Sequence, residues 1–343
     1  MREKILARLI CPDCRKGAWS LKDASLDQIE VRSATIICNY CQASFNISNG
    51  IIDFLHNPNE NVLRERVAMD EDEYITDESG GKFKISAEVI QKFRDKFLVF
   101  PEGDGSSFFK KGGSFQSTAE ASGRFYSALE DLRLTGRERI LEIGACFSYA
   151  SFKFAQKGCD VVALDISNYL LVSDLYVQKA YFERVFSDMH HMPFLDNSFD
   201  IVFGSAVLHH SKSLKDAFAE IRRVLVPGGK LILINEAAKG VLEKVHPVYK
   251  QMEEKGFGDT AYNILEWKRG ARLGGFKRVR SIFSSLADDY VTKYRNRGGR
   301  YTFKVKLAYF FKKHSKIENF LLFFTIIPRL LFRPRSWRLI AYK

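Results

Sequence analysis

Leu141-Glu142-Ile143-Gly144-Ala145-Cys146-Phe147-Ser148 is the stretch on which the fold turns. Arg139 to Ile143 is a short apolar run that reads as a buried strand, and Tyr149 to Lys157 reads as a helix. Gly144 to Ser148 therefore lies at a strand-to-helix turn. In a doubly wound α/β sheet this turn brings backbone close to a ligand, which small residues permit. Gly144 meets that need. An acidic residue about 20 positions on, at the end of the second strand, accepts hydrogen bonds from ribose hydroxyls in such folds. Asp165, closing Val162-Ala163-Leu164-Asp165, stands there.

Outward from this turn, helices and short apolar strands alternate, the pattern of a parallel sheet with crossover helices. Helices are expected at Ser86 to Phe100, Ala119 to Leu132, Tyr169 to Ala180, Leu214 to Leu225 and Ile264 to Leu273. Strands are expected at Phe182 to Phe186, Ile201 to Ser205, Lys230 to Asn235, Lys277 to Phe283 and Trp337 to Tyr342. The polar, acidic stretch from Asn57 to Gly81 reads as a linker or a solvated surface segment, and Gly103 to Gly113 as a glycine-rich loop.

Three further motifs follow in order: Ser187-Asp188-Met189-His190-His191-Met192-Pro193-Phe194, Asn197-Ser198-Phe199-Asp200-Ile201-Val202, and Arg223-Val224-Leu225-Val226-Pro227-Gly228-Gly229-Lys230-Leu231. With Glu142-Ile143-Gly144 and Asp165 they resemble the class I S-adenosylmethionine-dependent methyltransferases over about residues 118 to 236. The resemblance implies an α/β, doubly wound, mostly parallel seven-stranded sheet of Rossmann-like type, and S-adenosylmethionine as co-substrate. It also implies Asp188 at the adenine amino group, Met189 alongside the ring and Asp165 on the ribose. Gly144 and Glu142 would lie near the methionine end, and Ser205 beneath the sulfonium. The chain departs from the family where Cys146 and Ser148 replace the usual glycines, so a non-catalytic scaffold with a degenerate methyltransferase fold is an alternative reading.

Methyl transfer from a sulfonium is an in-line displacement that needs a base only when the acceptor must lose a proton. His209 and His210 after the fourth strand and Glu236 after the fifth are the candidate catalytic residues. Gly204-Ser205-Ala206-Val207-Leu208-His209 lacks the Asn-Pro-Pro-aromatic signature for methylating exocyclic base amines.

Of the six cysteines, four form two Cys-x-x-Cys pairs, Cys11/Cys14 and Cys38/Cys41, with 23 residues between them. Two such knuckles can close a tetrahedral site around one zinc ion, structural because all four ligands come from protein. Cys146 and Cys159 are left as small buried residues. Ile5 to Pro12 and Phe45 to Ile52 resemble the zinc-ribbon domain that activates RNA and protein methyltransferases as a separate subunit. The expected domains are a zinc ribbon over 1–56, a linker and helical cover over 57–117, a methyltransferase core over 118–283, an insert over 284–336, and a last core strand over 337–343.

The 343 residues carry a formal charge of +12, placed unevenly: Lys268 to Lys343 holds 20 Lys and Arg against 3 Asp and Glu. Basic and aromatic residues mix there, as in Phe303 to Lys313 and Phe320 to Phe332, which suits an anionic membrane surface. The acceptor then reads as a hydroxyl of a glycan or lipid-linked intermediate. The rival reading is an RNA methyltransferase using the same basic region; a third has the segment pack on its own domain. With no long apolar run and no room for a signal peptide before Cys11, the expected location is cytoplasmic, peripheral on the inner membrane face if the membrane reading holds.

Overall fold

The computed structural model describes residues 1–55, 58, 60–72, 74–77, 79–102, 116–283, 302–314 and 337–343, with single residues between 290 and 331. The expected glycine-rich loop at 103–113 and most of the 284–336 insert lie outside these.

The N-terminal unit has a 3-10 turn, Glu3–Arg8, then four strands: β1 (Trp19–Leu26), β2 (Val31–Cys38), β3 (Ser44–Ser48) and β4 (Ile51–Asp53). They pair antiparallel in sequence order. Alternation in β2 and β3 turns Ile36, Phe45 and Ile47 inward, where Phe45 packs against Trp19 and Phe54 with ring centroids 5.9 and 4.8 Å away.

The stretch expected to be a linker or a solvated surface segment is structured. It holds helix α1 (Glu60–Asp72) and a small hairpin of β5 (Tyr74–Thr76) with β6 (Lys82–Lys84). Val62, Glu65 and Ala68 recur at helical spacing and are buried, which anchors α1 despite its acidic composition. The helix expected over 86–100 is broken at Phe93 into α2 (Ala87–Lys92) and α3 (Arg94–Leu98). The break lets Ile90, Phe93, Phe97 and Phe100 all reach the core. Helix α4 (Gln116–Leu132) leads into the main sheet.

The main sheet is laid down by β7 (Arg139–Ile143), α5 (Tyr149–Gln156), β8 (Asp160–Asp165), α6 (Asp174–Val177), β9 (Glu183–Phe186), β10 (Phe199–Ser205), α7 (Leu214–Val224) and β11 (Leu225–Ile234). A two-residue pair, β12 (Ala238–Lys239) with β13 (Tyr262–Asn263), brackets α8 (Pro247–Glu254). Then come α9 (Ile264–Leu273), β14 (Arg278–Phe283), α10 (Phe303–Lys313) and β15 (Trp337–Tyr342). The spacing of Leu214, Ala217, Phe218, Ile221 and Val224 gives α7 one buried face. Helix α9 starts at a capping box of Asn263 and Glu266. Where a helix over 169–180 was expected, a 3-10 segment, Asn168–Ser173, precedes the single turn of α6. Leu170, Val172, Leu175, Tyr176 and Val177 are all buried, a pattern no one-faced helix satisfies.

The sheet differs from the expected one in extent. Its order is β1-β2-β3-β4-β9-β8-β7-β10-β11-β15-β14. The stretch from β9 to β14 is the seven-stranded part, parallel except for β15. The other four strands come from the cysteine-bearing unit, because β4 adds parallel to β9 through Ile52↔Val185 and Asp53↔Phe186. The result is one eleven-stranded mixed sheet whose core cluster runs from Ile36 and Phe45 to Leu141 and Val162. No helix among the described residues is long and apolar enough to cross a membrane.

A buried ion-pair network locks this junction. Arg184 on β9 is wholly buried and pairs with Glu30, and its Nη1 lies 3.4 Å from Asp174 Oδ1. Arg32 Nη1 reaches Glu30 Oε1 at 2.9 Å and Asp174 Oδ1 at 2.5 Å. Gly50 passes over this network at φ +73, where a Cβ would fall 2.2 Å from Glu30 Oε1. Removing one partner of a buried pair leaves a charge without compensation. Arg184→Ala should therefore cost about 3 kcal/mol, the low end for such pairs because Arg32 still faces Glu30. Urea unfolding measures this, and a cost below about 1 kcal/mol would show that the network does not hold the junction.

Candidate functional site

At the C-terminal ends of β7, β8, β9 and β10, where ligands bind in doubly wound sheets, lies a cavity of about 820 Å³. Glu142, Gly144, Asp165, Asp188, Met189 and Ser205 all line it, as does His210. His209 and Glu236 do not appear in its lining.

The turn after β7 is shaped by contact. Gly144 sits at φ +63, and a Cβ there would fall 2.3 Å from Val207 Cγ2, so only glycine fits. Cys146 and Ser148, standing where glycines were expected, adopt φ +46 and +60. Asp165 holds this turn: the Cys146 N–H donates to its Oδ2 at 2.6 Å and the Ser167 N–H to its Oδ1 at 2.8 Å. Burial pushes the Asp165 carboxyl up from its usual range. Glu142 is buried as well, and its Oε2 accepts from Ser151 N–H at 2.7 Å and Ser151 Oγ at 2.5 Å.

Asp188 follows β9 and accepts from His190 N–H at 3.0 Å and lies 2.7 Å from His190 Nδ1. His190 Nε2 lies 2.8 Å from Ser211 Oγ, which ties the Asp188 turn to the segment after β10. Burial works against the Asp188 charge, but the bond to His190 prevails and holds its carboxyl below the usual range. Asn235, past β11, donates to Ser205 Oγ at 2.9 Å, while its buried Oδ1 has no hydrogen-bond partner among the described residues. Asn235 also lines the cavity.

The segment after β10 is organised by Glu236. Its carboxylate accepts the N–H groups of Val207, Leu208 and His209, each at 3.1 Å, and meets His209 Nδ1 at 2.9 Å. His209 Nε2 faces Asp259 Oδ1 at 3.3 Å. Burial opposes the charge on His209, yet Asp259 and Glu236 together push its pKa up to about 9. A histidine held this way is a poor proton acceptor at neutral pH. His210 points elsewhere, its Nδ1 2.6 Å from Glu65 Oε1.

Sequence reasoning missed the contribution of α1: Asn61, Val62, Glu65 and Met69 form one wall. The signal was the helical spacing of Val62, Ala68 and Met69, masked by the acidic residues around them. Asp259, in the turn Gly256-Phe257-Gly258-Asp259-Thr260, carried no motif to flag it.

The four cysteines of the N-terminal unit converge. Cys11 Sγ lies 3.6 Å from Cys41 Sγ, and Cys14 Sγ is 3.6 Å from Cys38 Sγ. The two knuckles repeat each other. Arg15 N–H donates to Cys11 O at 2.8 Å and Gln42 N–H to Cys38 O at 2.9 Å, with Arg15 at φ +60 and Gln42 at φ +62. A tetrahedral ion with metal–sulfur bonds of about 2.3 Å needs sulfurs about 3.8 Å apart, close to the spacing found.

Burial raises the Glu142 carboxyl to about 8, well above its bond from Ser151 would allow. A carboxyl whose folded pKa exceeds its unfolded value of about 4.3 stabilises the folded state at low pH, and that contribution is lost as pH rises to 8. Glu142→Gln removes the titration. The variant should gain on the wild type by roughly 4 kcal/mol between pH 4.5 and 8 in denaturant unfolding. A constant difference across that window would mean that Glu142 titrates normally.

Residues 141–233 match the model of a family described as a methyltransferase domain. A demethylmenaquinone methyltransferase of Renibacterium salmoninarum is 36% identical over 33% of this chain and 44% of its own length. A malonyl-[acyl-carrier protein] O-methyltransferase of Enterobacter lignolyticus is 30% identical over 44% of this chain and 59% of its own. The chain thus spans less than two thirds of either relative. A phosphoethanolamine N-methyltransferase 2 of Haemonchus contortus, solved with S-adenosyl-L-methionine, shares 18% identity over 76% of this chain and 61% of its own, with a TM-score of 0.47. The segment 141–233 at the centre of this chain thus matches a methyltransferase domain.

Proposed function

We propose that the protein transfers the methyl group of S-adenosylmethionine to an acceptor that enters the same cavity, while the four cysteines hold a structural zinc ion. The observation that carries this reading is the cavity wall itself. Glycine is required at Gly144, and three carboxyl groups, Glu142, Asp165 and Asp188, border one space with Asn235 Oδ1, which has no partner among the described residues. That set suits a ligand rich in hydroxyl and amino groups. In this reading Asp165 takes the ribose, Asp188 the adenine amino group with Met189 alongside, and Gly144, Glu142 and Ser205 the methionine end and sulfonium. His210 and Glu65 are the polar groups on the acceptor side.

The zinc reading rests on the near-tetrahedral sulfur spacing and the paired knuckles. The acceptor reads as a hydroxyl of a glycan or lipid-linked intermediate met at an anionic membrane surface. In support, α10 turns Phe303, Leu307 and Phe310 to solvent at helical spacing, among exposed Lys304, Lys306 and Lys313.

Two measurements test the reading. By calorimetry the full chain should bind S-adenosylmethionine at micromolar affinity, and Asp165→Ala should weaken binding at least tenfold. An absence of binding would favour the scaffold reading. Flotation with vesicles containing phosphatidylserine should carry the protein with them at low salt, and release it as salt screens the lysines. Binding to single-stranded RNA with no binding to the vesicles would replace the lipid-linked acceptor with RNA.

A further inference from the structure

Two histidines and a carboxylate meet beside the cavity. His209, His210 and Asp259 each offer one ligand atom, all within 4.8 Å of one another. Glu65 of α1 backs His210, its Oε1 2.6 Å from His210 Nδ1. Asp259 Oδ2 is buried without a hydrogen-bond partner among the described residues. A buried polar atom left so is costly unless something binds it.

The surroundings have the form of a ligand site. His209 uses Nδ1 to meet Glu236 at 2.9 Å, which leaves Nε2 directed at Asp259. A histidine anchored through one ring nitrogen by a carboxylate and presenting the other is the usual outer arrangement of metal-bound imidazole. The His209 Nε2 to Asp259 Oδ1 distance is 3.3 Å. Two ligands at about 2.0–2.2 Å from a tetrahedral ion lie about 3.4 Å apart. The scaffold is tight as well. Thr260 N–H donates to His209 O at 2.8 Å, and a Cβ on Gly258 would fall 2.4 Å from His210 O. Charge agrees: the carboxylates Glu65, Glu236 and Asp259 surround the two imidazoles, and Lys212, the cation felt by Asp259, is paired with Glu253 at 3.0 Å.

We propose that His209 Nε2, His210 and Asp259 bind one divalent first-row transition ion at the cavity wall, separate from the four-cysteine site. Two imidazoles and one carboxylate suit Zn²⁺, Fe²⁺, Mn²⁺ or Co²⁺ and disfavour Ca²⁺ and Mg²⁺, which take oxygen ligands. His210 lines the cavity, so the ion faces the acceptor side. Resting on the methyltransferase reading, its role is to bind the acceptor oxygen and lower that hydroxyl's pKa. The ion, not a free histidine, then meets the acceptor.

The test is metal content of the full-length protein, loaded in turn with Zn²⁺, Fe²⁺, Mn²⁺ and Co²⁺ and measured by mass spectrometry. At least one of these ions should give a second equivalent beside the one at the cysteines. Asp259→Asn and His210→Gln, which change different elements, should each lose it. In the cobalt protein the thiolate charge-transfer band of the cysteine site should persist in both variants while the remaining d–d absorption disappears. A single equivalent with all four ions, or a second one kept in both variants, overturns the site. S-adenosylmethionine binding is read by calorimetry on the same wild-type samples. Its absence there would sink the methyltransferase reading while leaving the metal result to stand or fall alone.

Discussion

The edge of β9 is the constraint on which most of the molecule depends. A parallel strand at a sheet edge presents unpaired N–H and C=O groups, which proteins cover or blunt. Here β4 covers them, with Ile52 and Asp53 in register with Val185 and Phe186 and the Phe54 N–H donating to Phe186 O at 3.0 Å. This pairing takes Arg184 out of water and obliges it to find Glu30 and Asp174. Ile10 N–H reaches Pro193 O at 3.1 Å and Leu195 N–H reaches Arg8 O at 2.8 Å, so the N-terminal unit also grips the segment beyond β9. That segment carries Asp188 and Met189, which line the cavity. The docking of the cysteine-bearing unit and the shape of one cavity wall are thus a single structural event.

A second constraint is backbone strain at the strand ends. Cys146 and Ser148 after β7, Ala206 after β10 and Asn235 after β11 are non-glycine residues at positive φ. Each costs of order 1–2 kcal/mol. They persist because neighbouring carboxylates over-determine them: Asp165 holds the Cys146 N–H and Glu236 holds three successive N–H groups after Ala206. Cys146, Ala206 and Asn235 line one cavity, as expected where backbone is shaped to meet a ligand.

Much of this was legible in the sequence. The strand-to-helix alternation marked β7, β8, β10, α7, α9, β14 and β15 to within a few residues, because each has a clear apolar face or run. The cysteine spacing marked the knuckles. The joining of the two units into one sheet was not legible, since β4 is three residues long and its partner lies far along the chain. Helix α1 within the segment 57–81 was not foreseen, because charges outnumber the three or four apolar residues that anchor it. In the site, short motifs found the residues on their own loops. They missed Glu65 and Asp259, whose positions depend on tertiary packing alone.

The histidine pair after β10 shows why that difference matters for chemistry. Adjacent in sequence, His209 and His210 look equivalent, and either could be taken for a base. In the fold their neighbours distinguish them, and those neighbours come from three separate places: Glu65 from α1, Glu236 from the end of β11 and Asp259 from the turn before β13. Glu236 also carries the backbone of the same segment, so its carboxylate cannot leave His209 without releasing Val207, whose side chain closes against Gly144. The electrostatics of the histidines and the geometry of the glycine turn are therefore coupled through one residue. A change at Glu236 reaches both sides of the cavity without touching its lining.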